Sequence, residues 1–241
     1  MKKGEIRRQA IIDTAEMLFY AKGYEGASVQ DILDELNMSK GGFYHYFDSK
    51  LSLLEAICDQ RAEASYQAAL EAVRRCPGDA AQKLNAMFDK NGIWQGDSAD
   101  YLSLLIRVTY RPDGALLREK MKRVSYERSI GLFNDIIHEG IATGVFFTPY
   151  PDAIGELVMQ LGMGLTDDIA MILNKSNEAP DDMMRILMKL EVYRHAIERL
   201  LGAPYGSIVI YEMERMAMIC RAIMEQNRRM AWDTWSAVEA R

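Results

Sequence analysis

The sequence predicts an all-α protein, with a small helix-turn-helix unit at the N-terminus and a larger helical bundle behind it. Three observations carry that prediction. Apolar residues recur at helical offsets along nearly all of the 241 residues. The breaks between periodic stretches fall on Gly, Pro and Asn, the residues that end helices for identifiable reasons. Strand-like alternation bounded by hairpin turns is absent.

The first helix is expected from about Glu5 to Lys22. Ile11, Ala15, Leu18 and Phe19 lie on one face, and Gly23 follows where a left-handed C-cap is usual. Ser28 is placed to cap a short second helix, with Asp31 three residues on as its reciprocal partner, although Glu or Gln is the standard choice there. Val29, Ile32, Leu33 and Leu36 form its apolar face. Asn37 follows at a position suited to positive φ. Ser39 caps a third helix, Lys40 to about Phe47. Asp48 and Ser49 offer caps for a fourth, which buries Leu51, Leu54, Ile57 and Cys58 and runs to about Arg75, where Pro77-Gly78 stops it.

Further helices are expected at roughly 79–90, 99–110, 113–139, 152–174, 181–201 and 206–230. The breaks are marked by Asn91-Gly92, Arg111-Pro112, Gly144, Pro149 to Pro151, Pro180 and Gly202 to Pro204. In the stretch 206–230, Val209, Met213, Met216, Cys220, Ile223 and Met230 keep a heptad seam broken only at Asn227. Such a seam asks for a partner helix. The division expected is therefore residues 1–50 and 51–241.

Composition narrows the function classes. Apolar residues make up 49% and charged residues 27%, which excludes disorder of the whole chain. No long uninterrupted apolar run suggests a membrane span, and no signal peptide is read, so a cytoplasmic location without membrane partners is expected. Three cysteines make no disulfide framework, because Cys58 and Cys76 on one helix would lie roughly 27 Å apart. The net charge is −6, and residues 1–50 carry seven Lys/Arg against eight Asp/Glu. The positive charges are nonetheless placed: Lys2, Lys3, Arg7 and Arg8 cluster, while Lys40 and Lys50 bracket an aromatic run. The cluster suits an arm in a minor groove and a solvated terminus equally.

The functional constellation is Ser28 to Lys50, SVQDILDELNMSKGGFYHYFDSK. Two short helices joined by a tight turn make a helix-turn-helix. Phe43 and Phe47 are one turn apart and suit the core. Lys40 with Tyr44, and Gly41 with His45, share the outward faces. Lys40 is a donor near the start of a recognition helix, where base edges are usually touched. Two glycines cost roughly 1 kcal/mol each in a helix, which is understandable where backbone approaches DNA closely. Tyr44 and His45 can donate to phosphates, and the helix ends capped by Ser28 and Ser39 can receive one. Lys50 sits in a first helical turn, where the dipole disfavours a cation, so a phosphate would compensate it. The expected DNA contacts are thus Ser28, Ser39, Lys40, Gly41, Tyr44, His45 and Lys50.

These residues resemble the TetR family of bacterial regulators, whose members show a Ser-Lys-Gly-x-aromatic-Tyr-x-x-Phe-x-x-Lys run at this point. The resemblance covers about residues 6–55; beyond them only helicity and length agree. Asn37 stands where Gly is common, and Gly42 replaces the usual Thr, Ser or Ala, which removes a possible contact. The resemblance implies a homodimer on a palindromic double-stranded DNA operator, usually a repressor. It also implies a small-molecule effector in the C-terminal bundle that re-spaces the recognition helices and lowers affinity. Trp94, Tyr101, Tyr126, Phe133 and Met163 are the candidate pocket residues, from their aromatic or adaptable side chains in that region. The dimer bundle is expected from 206–230 and 152–174, with 181–201 as substitute, and coupling through the fourth helix.

No catalytic, cofactor or metal site is expected. His138 and His195 lack a second ligand at helical spacing. Asp167-Asp168 and Asp181-Asp182 have no nucleophile and base beside them, and the second pair reads as helix N-terminus chemistry. The competing reading is a ligand-independent DNA-organising protein whose bundle recruits a partner. It expects no sizeable internal pocket.

Overall fold

A computed structural model describes residues 3–90, 99–110, 114–175 and 180–239. Lys2, Trp94, and the breaks at Asn91-Gly92 and Arg111-Pro112 lie outside the described residues. So do the side chains of Tyr101, Met230, Trp232 and Trp235. The described residues form ten helices and no strand. They divide into two compact units, Met1–Ala62 and Glu63–Arg241. The first unit takes in the opening turns of the fourth helix, where Leu53, Leu54, Ile57 and Cys58 are buried, while Leu51, expected on the inner face, is 44% exposed.

The N-terminal unit contains α1 (Lys3–Gly26), α2 (Val29–Glu35), α3 (Lys40–Tyr44) and the first turns of α4 (Lys50–Arg75). The helix of α1 breaks at Gly23, whose φ of 74° and ψ of 160° are non-helical. Ser28 and Asp31 form a complete capping box: Ser28 Oγ accepts from Asp31 N at 3.1 Å, and Ser28 N donates to the Asp31 carboxylate at 2.7 Å. After α2, Asn37 takes φ 45°, Met38 N donates to Leu33 O at 3.0 Å and Asn37 N to Asp34 O at 3.3 Å. This is a Schellman closure with Asn in the place glycine usually holds. α3 stops at Tyr44, short of the expected Phe47, yet Phe43 and Phe47 are both buried, their ring centroids 6.1 Å apart.

The C-terminal unit comprises the rest of α4, α5 (Ala80–Lys90), α6 (Ala99–Thr109), α7 (Ala115–Ala142), α8 (Ile154–Lys175), α9 (Pro180–Leu201) and α10 (Met213–Glu239). α6 buries Leu102, Leu104, Leu105 and Ile106, nearly its whole circumference, and packs against α7, α8 and α10. Gly140 allows the close packing of α5 and α7. A Cβ there would stand 2.2 Å from the Phe146 ring and 2.9 Å from Ala80 Cβ. Among the described residues no helix is long and apolar enough to cross a membrane.

The last helix corrects the sequence reading. It begins at Met213, not at 206, and Val209 is 47% exposed. Before it, the chain runs without helix and alternates: Ile208 and Ile210 are buried and Val209 is out. Asn85 takes over the backbone bonds that a helix would have supplied, donating to Ser207 O at 2.9 Å and accepting from Val209 N at 2.8 Å. Buried Glu198, held by Arg194, accepts from Ile208 N at 3.2 Å. Within α10, Met216, Cys220 and Ile223 belong to the chain's own core, so the seam expected to seek a partner helix is filled internally. Burial pushes the Cys220 thiol up to about 12, which keeps it a protonated core residue.

Candidate nucleic-acid interface and internal cavity

The surface of α3 is built by its caps. Ser39 Oγ accepts from Gly42 N at 3.2 Å and starts the helix directly after the left-handed Asn37. Phe43 turns inward, and Lys40, Gly41, Tyr44 and His45 are left exposed together. At Gly41 an added Cβ would meet nothing, so the backbone there is open to an approaching surface. Gly42 differs: its Cβ would press on Ser39 Oγ at 3.3 Å. Here the missing side chain protects the cap, a reason internal to the protein for the departure noted at that position. Ser28 is also exposed, at the N-terminus of α2.

Lys50 is placed differently from the expectation. Its ammonium donates to Tyr24 O at 2.7 Å and Ala27 O at 3.1 Å and lies 4.2 Å from the Tyr24 ring centroid. The unfavourable position in the first turn of α4 is therefore compensated by carbonyls just beyond the Gly23 break, without any phosphate. The basic N-terminal cluster is also partly spoken for. Helix starts at Lys3, Arg7 donates to Leu36 O at 3.3 Å, and the Arg8 guanidinium lies 5.0 Å from the Phe47 ring centroid. From Lys3 onward the chain is helix rather than an extended arm.

Within the C-terminal unit, α5, α6, α7, α8 and the Ile210-Tyr211 segment surround a cavity of about 170 Å³. Tyr126, Phe133 and Met163 stand in its wall. Trp94 and the Tyr101 side chain lie outside the described residues. Gly162 also lines it, and a Cβ there would meet nothing, so the absent side chain is part of the free volume. The sequence reading did not find the polar group in this wall: Tyr110, Arg118, Lys122 and Asp167. Tyr110 donates to Asp167 at 2.5 Å, and Lys122 pairs with the same carboxylate. Burial, then the Asp167 bond, raise the Tyr110 phenol well above its usual range, so it remains a donor. The Arg118 guanidinium lies 4.7 Å from the Tyr110 ring centroid and donates to Thr109 O at 2.6 Å. The usable signal was the i, i+4 pair Arg118 and Lys122 running into Tyr126 on one helix face.

The neighbouring acids have structural duties. Asp168 accepts from Lys189 at 2.5 Å and Tyr193 at 3.2 Å, while Asp181 and Asp182 stand in the first turn of α9. His138 faces Asp152 at 3.5 Å, and His195 meets the edge of Tyr205.

A capped helix, a left-handed turn and a second capped helix with a polar outer face form a helix-turn-helix head. Residues 11–57 match the family model of bacterial regulatory proteins, tetR family. Over those residues, about a fifth of its length, the chain is similar to the TetR family. It is 45% identical over 56 residues to an uncharacterised HTH-type transcriptional regulator in the lacX 3' region of Lactococcus lactis subsp. lactis, a match covering 23% of this chain and 29% of that protein. It is 44% identical over 48 residues to the biofilm operon icaADBC HTH-type negative transcriptional regulator IcaR of Staphylococcus aureus (strain Newman), covering 20% of this chain and 26% of that one. The chain thus matches less than a third of the length of these curated relatives. A TetR-family regulator structure from Cytophaga hutchinsonii superposes with a TM-score of 0.56 at 19% identity, over 88% of this chain and 99% of that one. At that identity the likeness speaks for the fold.

Proposed function

We propose that the protein is a sequence-specific DNA-binding transcription regulator of the cytoplasm, a homodimeric repressor on a palindromic operator, relieved when a small molecule fills the α5–α8 cavity. The exposed set Lys40, Gly41, Tyr44 and His45 on the Ser39-capped α3 carries this reading. Lys40 and the open backbone at Gly41 suit base edges, and Tyr44 and His45 suit phosphates. The free N–H groups beside Ser28 and Ser39 favour phosphate as well. Lys50 contributes mainly by fixing the end of α1, with one ammonium hydrogen left for DNA. The staphylococcal relative, named as a negative regulator, supports repression.

Dimerisation is assigned to α8 and α9. α10 spends its apolar seam on the core, whereas α9 leaves Met184, Met188 and Val192 exposed at successive i, i+4 positions and α8 leaves Leu157 and Met171 exposed. A cavity with both apolar and charged walls counts against the ligand-independent DNA-organising reading. The test is selection of bound duplexes from a random DNA pool at two salt concentrations. An enriched palindrome that survives the higher salt is expected. Binding that is weak, without a motif and steeply salt-sensitive would refute a specific dimeric reader.

A further inference from the structure

The cavity in the C-terminal unit has a polarity that selects a ligand charge. α7 and α8 run antiparallel along it: Gly155 lies against Asn134 near one end, and Asp167 pairs with Lys122 near the other. Phe133 and Val158 line the first end, and Tyr110, Arg118, Lys122 and Asp167 the second. Arg118 and Phe133 are separated by roughly 22 Å of helix, so the apolar and polar ends are distinct.

The hydrogen-bond inventory at the polar end is unbalanced. Asp167 already accepts from Tyr110 and from Lys122. Arg118 offers five N–H donors, and among the described residues its polar partner is the Thr109 carbonyl. The unspent capacity is donor capacity on a permanent cation, beside a carboxylate already neutralised by Lys122. A guanidinium half-withdrawn from water is best completed by a planar anionic acceptor. The volume sets the body: a dry cavity of about 150 Å³ holds a benzene ring, and this one measures about 170 Å³.

We infer that the cavity binds a compact amphipathic organic anion, a carboxylate on a body of about one ring, with its acid on Arg118 and its apolar part toward Phe133 and Val158. The inference deepens the proposed effector site and rests on that reading of the cavity. The opposite charge class is disfavoured because the Asp167 charge is already matched by Lys122, whereas among the described residues the Arg118 guanidinium has a neutral carbonyl and no carboxylate as its hydrogen-bond partner.

The experiment is calorimetric titration of the full chain, without DNA, with three probes of one body and different heads: benzoate, benzyl alcohol and benzylamine. Benzoate is expected to bind at least about tenfold tighter than the alcohol, and the amine weakest. Arg118→Gln should remove about tenfold or more from benzoate affinity and leave the alcohol unchanged, while Arg118→Lys keeps part of the gain. A thermal melt of each variant shows that the fold is retained. Equal affinity for the three heads, preference for benzylamine, or benzoate binding indifferent to Arg118→Gln would overturn the assignment, as would silence toward all three at millimolar concentration. Because no DNA is present, a benzoate preference lost in Arg118→Gln supports the site even where no palindrome is recovered. A recovered palindrome with silent titrations overturns this inference alone.

Discussion

Replacing Lys50 by Met keeps the length of the side chain and deletes its charge and donors. In the folded head the ammonium makes two hydrogen bonds, to Tyr24 O at 2.7 Å and Ala27 O at 3.1 Å, and sits on the Tyr24 ring. A hydrogen bond with a charged partner contributes about 1.5–3 kcal/mol when protected and less where water can replace it, and an exposed cation–π contact about 0.5–1 kcal/mol. Lys50 is half-buried, so water recovers part of each bond, and the net expectation is a loss of about 2 kcal/mol in the head. That corresponds to about a 30-fold increase in the open population. Native-state hydrogen exchange without DNA reads it directly: amides near Ala27, whose N–H bonds Gly23 O, should lose protection by about that factor. High salt should leave the loss nearly unchanged, because the acceptors are neutral carbonyls rather than a screened counter-charge. Unchanged protection in Lys50→Met, together with weaker DNA binding and a salt slope reduced by about one, would refute the structural role and return Lys50 to phosphate contact alone.

Two other perturbations test the frame. Gly140→Ala puts a methyl into the Phe146 ring and against Ala80, and should cost about 3 kcal/mol, the upper end for overpacking, read from thermal melts; a change below about 0.5 kcal/mol would contradict the close packing of α5 and α7. Asp31→Asn bears on pH: the Lys22 bond first, then Ser28 Oγ and N, hold the Asp31 carboxyl well below the usual carboxylate range. A lowered native pKa gives stability that is complete above the unfolded value of about 3.9 and is lost as pH falls below it toward the native value. Wild type should therefore exceed Asp31→Asn at neutral pH and converge on it in acid, and parallel pH profiles of the two would contradict the assignment.

The head was legible because its determinants are local. Ser28 with Asp31, Asn37 and Ser39 each act within five residues, and a sequence displays such patterns directly. The intramolecular bonds of Lys50 were not legible because its carbonyl partners are 23 and 26 residues upstream, and no spacing rule reports which carbonyls a broken helix leaves free. The start of α10 misled for a similar reason. Val209 and Met213 continue the heptad, Ile208 and Ile210 fit a period of two, and the arbiter is Asn85, more than a hundred residues away. In the cavity, aromatic and methionine content pointed to Tyr126, Phe133 and Met163, which stand in its wall. Arg118 and Lys122 are an i, i+4 pair on α7, and that spacing alone does not report the Tyr110 and Asp167 beside them, the latter 45 residues further along the chain from Lys122.

The Asn85 clip has a consequence for how the chain is made. Its bonds join residues 122 and 124 apart, so the C-terminal unit cannot close until Val209 has left the ribosome. The head has all its residues by Ala62. At about 5–20 residues per second the interval is roughly 7–30 s. For that time each nascent protein has the whole N-terminal unit and only part of the C-terminal one, so under the proposed function the helix-turn-helix is made before the cavity that would regulate it.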